Sequence, residues 1–420
     1  MLQTLPLVFA LAGLALYTVL AGADFGAGFW LLFAGRGEDG DRVREHAHHS
    51  MAPVWEANHV WLIFVLTVTW TAYPVFFGSI ASTLALALFI AGLGIILRGA
   101  SYALRSGATR RRETRAIDTV FAVASLVTPF ALGAAAGGIA SERVPVGNAA
   151  GDLFTSWLNP TSILIGALAV ASSAYLAAVY LAADAARIGE PGLERAFRTR
   201  ALATGVITGA IAVGGLAVIE SDAHSLFEEL IRGGALAAMI ASVLAGAATL
   251  GLVWGRRFEA ARYSAAVAVA AVIGGWALAR YPTLLPGLTV HQAAASHDTL
   301  VTLVVAVLGG AVILFPSLGL LFRLTLSGQF DPHRDRAHPD AAAVQALRPA
   351  LGGRLALALL IIGIGLLNVA TAAWAHGVGV VSLFAFMVLA FFSVVPRALT
   401  EDPGEPPAVA DGETGQPAGQ

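Results

Sequence analysis

The chain has 420 residues, 57% of them hydrophobic and only 12% charged, with a formal net charge of −2 and no cysteine. So apolar a balance lies outside the range of soluble domains, and nothing in it points to a nucleic-acid partner. The lack of cysteine excludes disulfides, thiolate-held zinc, iron–sulfur clusters and thiol catalysis.

Roughly 20 predominantly apolar residues are needed to cross the hydrocarbon layer, and about eleven stretches meet that length. In chain order they are residues 5–23, 60–77, 80–97, 119–139, 161–183, 201–219, 233–254, 263–279, 299–322, 355–374 and 378–395. The second and third come from one stretch with a turn near Pro74. The first lacks a basic leading region and reads as a retained helix rather than a cleaved signal. The expected architecture is an all-α polytopic membrane protein: two four-helix bundles plus extra helices, N-terminus outside and C-terminus cytosolic. Residues 1–330 form the main transmembrane domain, 331–400 a connector with two additional helices, and 401–420 a Pro-, Gly- and acid-rich tail that cannot bury a core.

The orientation comes from the basic residues, all of which are arginine. With the N-terminus outside, 22 of the 25 fall in alternate, cytosolic gaps, and only Arg143, Arg232 and Arg280 lie outside. Arginine-bearing loops resist translocation, so this alternation supports both the span count and the topology.

Small residues, as in Gly22-x-x-x-Gly26 and Gly92-Leu-Gly94, favour close helix packing in lipid. Two stretches, Val19 to Asp24 and Val179 to Asp184, end alike in an Ala-rich run and an acid. A parallel repeat of four helices explains the echo, and Ala-rich composition alone accommodates it too.

Polar residues inside apolar stretches carry the functional signal. If the first helix continues to Ala34, Asp24 lies about 15 Å from its cytosolic end at 1.5 Å per residue. An ionised acid at such depth costs about 2.5–3.5 kcal/mol, so it pairs, protonates or lines a water path. A structural acid tied to an arginine is the bland alternative. The segment Pro53-Val-Trp55-Glu56-Ala-Asn58-His59 reads as the opening of helix two, where capping accounts for Glu56 but not for Asn58 and His59 beside it. Arg98, closing helix three, is the expected counter-charge for either acid. Of the histidines, His46, His48, His49, His333 and His338 are assigned to cytosolic loops. His224, His291, His297 and His376 are assigned to the external boundary, leaving His59 inside a span. This chain is therefore not expected to ligate haem alone. A metal at His46-Ala-His48-His49 is outweighed by a solvated histidine run.

At these residues the chain resembles a family. Ala23-Asp-Phe-Gly-Ala-Gly-Phe29 is similar to the end of helix one in subunit II of cytochrome bd quinol oxidase, and Ala52-Pro-Val-Trp-Glu-Ala-Asn-His-Val-Trp-Leu62 to that subunit's Pro-x-Trp-Asp-Gly-Asn-x-Val-Trp-Leu signature. Ile96-Leu-Arg-Gly99 and Leu288-Thr-Val-His-Gln-Ala-Ala294 resemble further family stretches, and the similarity covers about residues 5–330. The resemblance implies a bacterial plasma-membrane subunit of a quinol oxidase that reduces dioxygen to water. A hetero-oligomeric partner, subunit I, would hold haems b and d; subunit II carries no haem, has room for a structural quinone and contributes acids to a cytosolic proton path. Asp24 and Glu56 match those acids, with Trp55, Asn58, His59 and Arg98 as neighbours. Glu56 stands for the usual Asp, Ala57 for Gly, and Ala103 where an acid is common. The last two spans exceed the family's usual nine. A secondary transporter is the competing reading, since many helices, a repeat and a buried acid are ordinary there as well.

Overall fold

The computed structural model describes residues 1–35, 37–105, 111–326, 351–369 and 373–394. The helices of the first four-helix group are α1 (Leu5–Leu32), α2 (Glu38–Ala72), α4 (Ala85–Arg105) and α5 (Arg111–Ala140), with a short α3 (Pro74–Thr83) between α2 and α4. The second group is α6 (Pro160–Arg187), α7 (Pro191–Asp222), α9 (Gly233–Trp254) and α10 (Phe258–Arg280), with a short α8 (His224–Leu230). A two-stranded antiparallel ribbon, β1 (Thr283–Leu285) and β2 (Leu288–Thr289), and α11 (Val290–Ala293) lead into α12 (His297–Leu326). Two further helices, α13 (Leu351–Val369) and α14 (Ala373–Val394), pack on each other.

The chain divides into two compact units, Met1–Val304 and Val305–Gln420. In the second, Gly363 lets α13 approach α14: a Cβ there would sit 2.6 Å from Leu383 Cγ. Of the region expected as a connector with two helices, residues 331–350 lie outside the described ones, as does the expected tail 401–420.

Among the described residues seven helices, α1, α4, α5, α6, α7, α9 and α10, are long and apolar enough to cross a membrane. Shorter apolar stretches cover Asn58–Ala72, His297–Val312, Arg354–Leu366 and Gly377–Leu389. These coincide with the apolar segments of the sequence, with boundary corrections that bear on the site.

The region around Pro74 holds an extra element. Proline lacks the donor that a continuing helix needs, so α2 stops at Ala72 and α3 starts on Pro74, with a second break at Leu84. The third span therefore begins at Ala85 rather than residue 80 and runs past Arg98 to Arg105. Arg98 lies inside α4, not at its close.

Helix α2 is longer than the apolar pattern indicates. Its first turn carries Glu38, Asp39 and Asp41, acids suited to the positive end of the helix dipole. The helix then runs unbroken through Pro53, so Pro53 to Glu56 lie in its interior and His46, His48 and His49 are helical instead of looped. Amphipathic packing explains the extension: Val43 and Ala47 are buried in the core shared with α6 and α7.

At the end of the bundle away from most arginines, long-range and local polar contacts hold the helix ends. Asp222 takes the Arg143 guanidinium at 2.8 Å and accepts from the Thr161 amide and hydroxyl at 3.1 and 2.7 Å. Arg280 meets Glu142 at 2.6 Å, and Arg232 meets Glu228 at 3.4 Å. Thr289 and Gln292 form a capping box on α11. Tyr73 donates to the Gln3 carbonyl at 2.6 Å, and Ala295 to that of Ala72 at 2.8 Å.

Candidate functional site: a buried acid–guanidinium centre

Asp24 is placed by the run Ala21-Gly-Ala-Asp-Phe-Gly-Ala-Gly28, every residue of which is buried. Small side chains let α1 press against α6 so closely that a Cβ on Gly26 would fall 1.8 Å from the Ser173 carbonyl oxygen. The Trp30 indole donates to the Ala174 carbonyl at 3.0 Å and ties the two helices at that level.

In this setting Asp24 is only 2% exposed. Arg98 Nη2 from α4 lies 2.6 Å from Asp24 Oδ2, and Asn58 Nδ2 from α2 donates to the same oxygen at 3.1 Å. Arg98 Nη1 donates to Ser125 Oγ on α5. That hydroxyl in turn donates to the Phe121 carbonyl at 2.6 Å. The guanidinium carbon sits 4.6 Å from the Phe25 ring centroid and 4.4 Å from that of Phe121, so cation–π attraction offsets part of its lost hydration. Four helices thus converge on one ion pair. Asn58 Oδ1 and the Tyr17 hydroxyl are buried without hydrogen-bond partners among the described residues. Both face the interior of the same group and leave polar capacity that ordered water satisfies in such settings.

The sequence-derived residues separate in the structure. It brings together Asp24, Asn58 and Arg98; His59 is half-buried on α2. Trp55 and Glu56 belong to the α2 backbone, and their side chains lie outside the described ones. Sequence reasoning missed Ser125, Phe25, Phe121 and Tyr17. A lone serine within an apolar span was the available signal for Ser125. Near Ala103, an acid comes from the neighbouring helix: Asp118 of α5 pairs with Arg105 at 2.9 Å.

The echo of Asp24 in α6, Asp184, is also buried, at 4%. It meets Arg187 at 2.8 Å and Arg262 of α10 at 3.7 Å. One turn away His46 Nε2 contacts the Leu181 carbonyl oxygen at 3.0 Å, and its ring packs on Phe197 at 5.6 Å. His46 is therefore engaged in joining α2 to α6. Among the described residues no three His, Cys, Asp or Glu side chains gather as metal ligands; His224 and His297 open α8 and α12, and His291 lies in the short α11.

A largely helical scaffold with helices of membrane-crossing length around a buried ion pair defines a polytopic membrane protein. Residues 2–325 match the family described as cytochrome bd terminal oxidase subunit II, and the chain belongs to that family. A cytochrome bd ubiquinol oxidase subunit 2 of Bacillus subtilis is 30% identical over 114 residues, 27% of this chain and 33% of that protein. A cytochrome bd-I ubiquinol oxidase subunit 2 of Escherichia coli K12 is 28% identical over 198 residues, 44% of this chain and 48% of that protein. The chain thus aligns with about a third to a half of these relatives' length. A solved chain of the bd oxidase from Geobacillus thermodenitrificans shares the fold, with a TM-score of 0.59 at 24% identity, covering 77% of this chain and 98% of that one.

Proposed function

We propose that this chain is the haem-free subunit II of a plasma-membrane quinol oxidase, holding a haem-bearing subunit I and carrying protons toward it from the cytosol. Two quinols release four electrons and four protons; four electrons and four protons convert one dioxygen to two waters. When the released protons leave outside and the consumed ones come from the cytosol, each charge separated stores about 2.3 kcal/mol per 100 mV without a pump. What this chain supplies is the inward conduit.

The observation that carries this reading is the Asp24 carboxylate, buried, countered by Arg98 and bonded by Asn58. A paired acid in a dry bundle moves a proton only as its pair loosens, and the orphan oxygens of Asn58 and Tyr17 offer places for water beside it. Glu56, two residues before Asn58 on the same helix, is the donor to this centre from the cytosolic side, with Trp55 and His59 flanking it. The helices that hold the acids, α1 and α2, are unbroken across them, unlike the discontinuous helices of secondary transporters.

The test is to purify the complex through this chain and record reduced-minus-oxidised spectra and quinol-dependent oxygen uptake. The expected result is haem b and haem d signals carried by a copurified second chain. Glu56→Gln should slow oxygen uptake with the haem signals intact, while Glu56→Asp keeps most of it. Absence of any haem-bearing partner sinks the oxidase assignment; full uptake by Glu56→Gln sinks the conduit.

A further inference from the structure

An apolar cleft of about 450 Å³ opens between α1, α5, α6 and α7, walled by Phe29, Val127, Phe130, Ala171, Ala174 and Thr204. Alanines on α6 hollow its floor. Its rim includes Leu126 and Ile207, which are 37% and 53% exposed, so the cleft faces sideways out of the helix group. One turn beyond its Thr204 end stands Arg200: Thr204 Oγ1 donates to the Arg200 carbonyl at 2.7 Å.

The Arg200 guanidinium lies 5.2 Å from the Trp30 ring centroid and 4.9 Å from that of Phe197. Its Nη2 donates to the Phe33 carbonyl at 3.3 Å, while Nη1 is buried with no hydrogen-bond partner among the described residues. Three neighbouring arginines are paired with acids, and Arg198 is held by backbone carbonyls. Arg42 meets Glu190 at 2.5 Å, Arg187 and Arg262 share Asp184, and Arg198 donates to the carbonyls of Val253 and Trp254. Among the described residues Arg200 has no carboxylate within ion-pair distance. A cation without a carboxylate partner among the described residues is therefore held near an apolar slot.

We propose that the cleft and Arg200 form a site for an anionic phospholipid, with the phosphate on Arg200 and one acyl chain in the cleft. The slot requires an apolar chain, which a free phosphate lacks. The uncompensated guanidinium favours net negative charge, which a neutral quinone and a zwitterionic lipid both lack. Arg200 also sits among aromatic rings at the arginine-rich end of the bundle, where headgroups are found. The site uses none of Asp24, Asn58 or Arg98, so it stands or falls apart from the proton path.

The test places the whole complex in nanodiscs of equal phosphatidylglycerol and phosphatidylcholine, re-extracts it in mild detergent and counts retained lipid by native mass spectrometry. The wild type should retain phosphatidylglycerol preferentially. Arg200→Gln should lower that preference about fivefold, the effect of one basic residue near a headgroup, and Arg200→Lys should keep most of it. Ala171→Leu, which fills the slot, should lose lipid of either headgroup. Should Arg200→Gln fail to assemble, brominated-chain phosphatidylglycerol should quench Trp30 fluorescence in the wild type more than brominated phosphatidylcholine does, with Trp30→Phe as the blank. Equal retention in wild type and Arg200→Gln, unchanged retention in Ala171→Leu, recovery of a quinone or free phosphate instead, or equal quenching by the two lipids would each overturn the site.

Discussion

Asp24 on α1 and Arg98 on α4 stand 2.6 Å apart with side chains 3% and 0% exposed, so each takes the place of water for the other. An unpartnered charge in such a place is far costlier than the pair is stabilising. Removing one member of a buried pair typically costs about 3–5 kcal/mol, whereas replacing both by apolar groups of similar volume is often neutral.

That asymmetry separates structure from conduction. Asp24→Asn should lower the melting temperature of the complex and its oxygen uptake together, because Arg98 is left uncompensated. Asp24→Asn combined with Arg98→Met should recover the melting temperature while uptake stays low. Should uptake return with stability, Asp24 is a structural acid and the conduit runs elsewhere.

The same centre is sensitive to a single methyl group. A Cβ on Gly28 would fall 2.0 Å from Ser125 Oγ and 3.1 Å from Arg98 Nη1, whereas one on Gly92 meets nothing within 4 Å. Gly28→Ala should destabilise the complex by about 1–3 kcal/mol through overpacking and displace the guanidinium. Gly92→Ala should be neutral or gain about 0.5–1 kcal/mol from reduced chain entropy. Thermal melts of the two variants side by side check the contrast.

Asp222 binds three groups of two residues, Arg143 and Thr161, at the far end of the bundle. Asp222→Asn weakens the link to Arg143 and the start of α6, at a cost of about 1–3 kcal/mol for the buried groups left short of a partner. Hydrogen exchange should quicken across residues 141–162 and stay unchanged in α9.

Asp152 in the loop before α6 accepts from the amides of Thr155 and Phe154 at 2.7 and 2.9 Å and from the Thr155 hydroxyl at 3.0 Å. These bonds hold its carboxyl below the ordinary 3.8. With the folded value depressed, the contribution to loop order is complete above that ordinary value and fades as pH falls through the lower folded one. Protection factors in residues 152–158, which remove the intrinsic pH dependence of exchange, should be level from neutral pH down to the ordinary carboxylate range and fall below it. Asp152→Asn should flatten the acid limb.

Hydropathy makes the spans legible because lipid-crossing helices announce themselves by length and composition. It is blind where a helix leaves the apolar pattern yet stays packed. Glu38 to His49 read as a loop, because their polarity hides that Val43, His46 and Ala47 turn inward onto α6 and α7. Likewise Arg98 reads as a helix end since charges usually mark one, whereas two aromatic rings, an acid and a hydroxyl make the interior tolerable for it. Asp24 and Asn58 were legible as polar residues out of place. Their convergence was not, because it depends on how deeply α1, α2 and α4 slide past one another. The elements α3, α8 and α11 are too short to show a period.

Glu142 and Arg143 adjoin in sequence, yet in the folded chain each belongs to another partner: Glu142 to Arg280 at the end of α10 and Arg143 to Asp222 at the end of α7. Until those later helices are made, the two neighbours have only each other. The two ion pairs of this loop consequently wait on segments synthesised after it, and a nascent chain halted before α10 leaves the Glu142 side unfastened.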